Sequence, residues 1–167
     1  MPWTTPKTDF APGDVLTAAQ MNAIGNNLDA IGGAWTAYTP TWTNLTVGNA
    51  TQDSRYIAAG RLVIVNLKIT LGSTSSVGTI PEFSLPENLD ASYTTGDTIG
   101  DLNLFDTSAS IVYWGKALPR TALTGARPFV DSVAGTYNTP GIITATVPFT
   151  WATGDLITGT LIYESVS

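Results

Sequence analysis

A single helix-length segment is followed by more than a hundred residues in which only short, period-two segments and turns occur, and this asymmetry most constrains the fold. Thr17 to Ile31 reads TAAQMNAIGNNLDAI, and a Trp/Tyr/Pro-rich hinge, Trp35 to Trp42 (WTAYTPTW), opens the strand-forming part. Helices below about 12–15 residues are marginal alone, because nucleation fixes several dihedrals before any hydrogen bond repays them. Such a helix needs a packing partner: its own β-domain, copies of itself, or another protein. The chain is expected to divide into an anchoring arm and oligomerisation helix, residues 1–34, and a β-sandwich domain, residues 35–167.

The helix carries its own boundaries. Thr17 with Gln20 three residues on forms a capping box, in which each side chain satisfies a backbone N–H of the first turn. Gly32-Gly33 supplies the stop, since glycine adopts the left-handed conformation at little cost. Met21, Ile24, Leu28 and Ile31 follow one another at spacings of 3, 4 and 3, a two-heptad apolar stripe. Gly25 costs about 1 kcal/mol against alanine, so packing must hold this helix together. The pattern leaves both a self-association seam and packing on the β-domain of the same chain open. In the proline-containing arm ahead of it, Trp3 and Phe10, with Val15 and Leu16, are the side chains suited to anchoring.

Beyond Ala34 the signals are strands and turns. Arg61 to Leu71 (RLVIVNLKITL) places Val63, Val65, Leu67, Ile69 and Leu71 on one face, and the added Leu62 and Ile64 suit a central strand. Ile143, Ala145, Val147 and Phe149 alternate with threonines and predict a strand that Pro148 confines to a sheet edge. Leu156–Tyr163 predicts a buried C-terminal strand, and Ser54–Ala58, Glu82–Leu85, Thr98–Phe105, Ile111–Trp114 and Pro128–Val133 are shorter candidates. Turns are expected at Ala59-Gly60, Gly72-Ser73, Pro86–Asn88, Thr95–Asp97, Thr139–Gly141 and Thr153–Asp155. Gly115 to Arg127 is expected to be a long loop carrying Lys116, Arg120 and Arg127. Many short strands with regular turns indicate a mainly β fold, an antiparallel β-sandwich or jelly roll.

Composition removes most chemistries. The 167 residues contain no histidine and no cysteine, so zinc sites of the usual kind, cysteine nucleophiles and histidine triads are excluded. A net charge of −6 and seven scattered basic residues do not suit a phosphate-tracking surface, so no nucleic acid partner is expected. No apolar run of membrane-spanning length occurs, and the N-terminus lacks the basic and apolar regions of a secretory signal. Charged residues make up 12% of the chain, against about 25% in an ordinary soluble domain, which suits a protein held within an assembly.

A carboxylate pair is the main catalytic option left. The densest acidic group is Asp97, Asp101 and Asp106. On one strand Asp97 and Asp101 would lie roughly 13 Å apart at about 3.3 Å per residue, too far for acid and base to work on one bond. Turn chemistry explains Asp97 beside Gly96. No enzymatic activity, cofactor or metal is therefore expected. Adjacent Tyr113 and Trp114 must place one ring inward and one outward, and Trp151 should share the inward side with Phe149. Trp114, Lys116 and Arg120 are the residues suited to surface recognition, with a surface glycan as the alternative partner.

The segment AWTAYTPTWTNLTVGNATQDSRYIAAGRLVIVNLKITLG, followed by FSLP at Phe83–Pro86, resembles a module of structural proteins in tailed bacteriophages, commonly those infecting actinobacteria. TPKTDFAPGDVLTAAQMNAIGNNLDAI resembles the leader preceding that module, and WATGDLITGTLIYE its last strand. The likeness spans about half of the chain and leaves Leu89 to Val147 unmatched. It implies a non-enzymatic component of a virion, of minor tail, fibre or capsid-decoration type, with capsid or tail proteins as partners. Such proteins are often trimers, so the resemblance implies a three-helix seam at Met21, Ile24, Leu28 and Ile31.

Overall fold

The alternation centred on Val63–Ile69 builds the strand it predicts. In the computed structural model, which describes residues 9, 11–32, 35–134 and 137–166, Leu62–Thr70 is a strand whose Val63, Val65, Leu67 and Ile69 are buried. In chain order the elements are α1 (Ala18–Gly32), β1 (Thr36–Tyr38), β2 (Trp42–Thr46), β3 (Thr51–Gln52), β4 (Ser54–Ala59), β5 (Leu62–Thr70) and β6 (Ser76–Ser84). They continue with β7 (Gly100–Asp106), β8 (Ile111–Pro119), β9 (Gly125–Ala134), β10 (Tyr137–Ile142) and β11 (Leu156–Glu164). The fold is mainly β with one short helix, as the turn-punctuated sequence requires.

All the pairings are antiparallel, in the order β1-β4-β5-β11-β7-β8-β9-β6-β2, with β3 alongside β5 and β10 alongside β9. The terminal strands β1 and β2 are separated in the chain only by residues 39–41, so the sheet curls until its ends meet, in the manner of a sandwich. A flat sheet of this width could not bring them together. β11 lies between β5 and β7, with Leu161 against Val65 in register and Ile157, Leu161 and Tyr163 buried. One apolar core fills the interior, its largest members including Phe83, Leu104, Ile143 and Tyr163.

Three expectations are corrected. Ile143–Phe149 is not a strand: Thr144 and Val147 form an isolated bridge around a tight turn, while Ile143 and Phe149 are buried. Pro148 has no N–H to donate to a ladder, and the Trp151 indole donates instead to the Thr144 carbonyl at 3.0 Å. Gly115–Arg127 is not a long loop: β8 runs to Pro119 and β9 begins at Gly125, leaving only residues 120–124 as the connection. The Arg120 N–H donates to the Gly125 carbonyl at 3.0 Å and closes it. Thr139–Gly141, expected as a turn, lies within β10, where Pro140 is tolerated because, among the described residues, β10 pairs with β9 alone.

The hinge also resolves into structure. Its first half is β1 and its end opens β2, so the Trp/Tyr/Pro segment supplies both margins of the sheet. Tyr38 meets Tyr56 edge-on at 5.9 Å, and Trp42 leans on Phe83 at 5.1 Å.

Candidate functional site

Two exposed surfaces are built from residues singled out above. The first is the helix. Its capping box forms: the Thr17 N–H donates to Gln20 Oε1 at 2.8 Å, and the Gln20 N–H to Thr17 Oγ1 at 3.3 Å. α1 contacts β4 of its own domain, and Asn27 is buried while Ala23, four residues earlier, is half-buried. The apolar stripe lies elsewhere: Met21 is 52% exposed, Ile24 38% and Leu28 64%. Val15 and Leu16, just before the helix, are exposed too. Small and polar side chains therefore occupy buried positions, and the large apolar ones face water. After the helix, Arg55 of β4 lies 5.4 Å from the Trp35 ring centre, a cation–π contact between the hinge and the sheet. Trp3 and Phe10, and the Ile31 side chain, lie outside the described residues.

The second surface is the outer face of β7–β10. Tyr113 packs inward against Phe149 at 5.3 Å, as the alternation along β8 requires, and Phe149 meets Trp151 at 4.4 Å outside any strand. Trp114 points the other way and is 65% exposed. In register it faces Asn103 on β7, and Asn103 faces Thr158 on β11. Asp131, the residue after Val130, which pairs with Gly115, flanks it from β9. One step along, Lys116 faces Asp101 and forms an ion pair with it. The Asp101 carboxylate raises the Lys116 ammonium above the ordinary lysine value, with a smaller contribution from Asp131. Val112 and Ile142 add exposed apolar surface at the edges of this face.

Arg120 belongs to neither surface. Its guanidinium lies 3.6 Å from Glu82, and Arg127 approaches the same carboxylate at 3.8 Å. The two arginines thus share one acid on β6 and do not join Trp114 and Lys116 in one site.

The acidic trio is dispersed. Asp97 accepts from the Thr94 N–H in a turn at 2.6 Å, and Asp101 holds Lys116. Asp106 accepts from the Ala109 N–H at 3.0 Å and the Ser108 hydroxyl, bonds that hold its carboxyl below the usual range. Among the described residues, no three of His, Cys, Asp or Glu gather as a metal-binding group, and no helix is long and apolar enough to cross a membrane.

The pairing of Asp101 with Lys116 escapes sequence reasoning, although its signal is present. A Thr-Ser-Ala-Ser turn at 107–110 between two alternating runs marks a hairpin, and its register puts residues 101 and 116 opposite each other. Comparison with family models, with curated proteins and with solved structures finds no significant match to this chain.

Proposed function

We propose that this chain is a non-enzymatic structural protein of a tailed-phage virion. In this reading it is a trimeric decoration, spike or fibre-like component, held to the capsid or tail by its N-terminal region. The observation that carries the reading is the exposure of Met21, Ile24 and Leu28 on a helix that already contacts β4 and buries Asn27. Packing on its own domain leaves the stripe uncovered, so of the two partners the pattern left open, a copy of the chain is favoured. Burying a large apolar side chain contributes about 1.5–3 kcal/mol before ordering costs. A short stripe therefore associates weakly in one copy and usefully in several. The resemblance of the leader and hinge to phage structural proteins supplies the virion context.

Light scattering on the full chain tests this reading. The expected result is a trimer that Ile24→Asp or Leu28→Asp converts to a monomer with an unchanged far-ultraviolet circular dichroism spectrum. A wild-type monomer, or variants that remain trimeric, would sink it.

A further inference from the structure

The curl of the sheet separates the two exposed surfaces. α1 touches β4, and β4 and β8 stand four steps apart on a nine-strand path whose ends meet, so Trp114 lies about half-way round the domain from the helix. A seam at α1 leaves the Trp114 face directed away from the copies it gathers. That outward placement rests on the reading of the helix as a seam; the chemistry of the face does not.

The face has a specific pattern. An indole plate stands exposed on the outer face of the curled sheet, with Asn103 and Asp131 on either side and the Asp101–Lys116 pair one step along. Thr158 continues the row beyond Asn103. Two carboxylates against one ammonium leave a slight negative excess, in a chain of net charge −6, which repels a sulfated or phosphorylated polymer. An apolar protein partner would have to strip water from Asp131 and from the Asp101–Lys116 pair, a cost that attraction within the pair seldom recovers. A neutral hydroxylated ligand meets both halves of the pattern. One side of a pyranose ring is a sheet of C–H bonds that fits an indole, and its hydroxyls can replace the water that now solvates the carboxylates and amide. An extended chain can lie across several strands of such an outer face, whereas a small molecule needs a concavity.

We infer that the outer face of β7–β9 is a binding platform for a neutral polysaccharide, with Trp114 as the stacking plate and Asn103, Asp131 and the Asp101–Lys116 pair taking the hydroxyls.

Affinity electrophoresis of the full chain through gels containing dextran, mannan or galactan, with heparin as the polyanion, tests the inference. At least one neutral polymer is expected to retard the wild type. Trp114→Ala should weaken that retardation about tenfold or more, since about 1.4 kcal/mol of lost stacking is a factor of ten. Trp114→Phe should retain part of it, and Asn103→Ala and Asp131→Ala should each reduce it. Light scattering on the same Trp114→Ala sample should give the wild-type mass. No retardation by any neutral polymer, retardation by heparin alone, or retardation indifferent to Trp114→Ala would overturn the platform. A changed mass in Trp114→Ala would overturn it as well, by making the face a contact between copies. Leu28→Asp separates the two proposals: a monomer still retarded, though less through lost avidity, supports both. A trimeric Leu28→Asp chain that is retarded normally removes the seam and keeps the platform.

Discussion

Trp42 and Gln52 join the two ends of the curled sheet: the indole Nε1–H donates to the Gln52 side-chain oxygen at 2.9 Å. Trp42 belongs to β2, the last strand of the path, whereas Gln52 lies on β3 beside β5, near its beginning. Trp42→Phe keeps an aromatic ring near Phe83 but removes the donor, and should cost about 1 kcal/mol in urea unfolding. Trp42→Ala removes the ring as well and should cost about 3–5 kcal/mol.

Neighbours on β11 should respond oppositely to truncation. Leu161 is fully buried between β5 and β7, while Ile162 faces outward. Leu161→Ala is expected to lower stability by about 2–5 kcal/mol. Ile162→Thr should stay within about 0.5 kcal/mol of wild type. Equal effects in chemical denaturation would contradict the facing of this strand.

Asp155 is a buried carboxylate with a structural task. It accepts from the Thr107 N–H at 2.9 Å and the Ala152 N–H at 2.6 Å, tying the β7–β8 turn to the turn before β11. Asp155→Ala leaves both donors without this acceptor, at a cost of about 1–3 kcal/mol for each donor that finds no water. Asp155→Asn retains an acceptor oxygen and should recover part of the loss in a thermal melt.

Asp90 should make stability depend on acid. Hydrogen bonds from Ser92, with the adjacent Arg61 guanidinium contributing, hold its carboxyl below the usual range. A carboxyl whose folded value lies below its unfolded value contributes stability that is present above the unfolded pKa and is lost as pH falls through the folded one. Asp90→Asn should therefore flatten the acid side of the stability-versus-pH curve and leave its shape near neutrality unchanged.

The capping box of α1 predicts a coupled pair. Thr17→Ala or Gln20→Ala should each destabilise the helix by about 1 kcal/mol, seen as faster amide exchange across its first turn. The double variant should cost less than the sum, because either change already breaks the reciprocal arrangement. Additive losses would mean that the two bonds act independently.

Local signals proved legible where chain neighbours decide the outcome. The capping box, the Leu62–Thr70 strand and the opposite facing of Tyr113 and Trp114 follow from side-chain spacing and the alternation of Cβ directions. The errors at Ile143–Phe149 and Thr139–Gly141 have a common origin. Whether a proline tolerates a strand depends on which edge of it is paired, and that is a property of the partner strand. Gly115–Arg127 misled for a similar reason: it read as a loop, but Lys116 and Arg127 sit in strands opposite acids from distant segments.

The sequence by itself determined the mainly β architecture, the single capped helix and its apolar stripe, and the absence of histidine and cysteine chemistry, because each depends on residue type and on spacings within one element. Only the tertiary structure decided that the helix contacts β4 with its apolar stripe left exposed, that Asp101 holds Lys116, and that Arg120 turns to Glu82 and leaves Trp114 without it. Those relations are set by strand order and register. Strand order brings β11 between β5 and β7 across a long stretch of chain, and no local preference encodes a contact between segments so far apart.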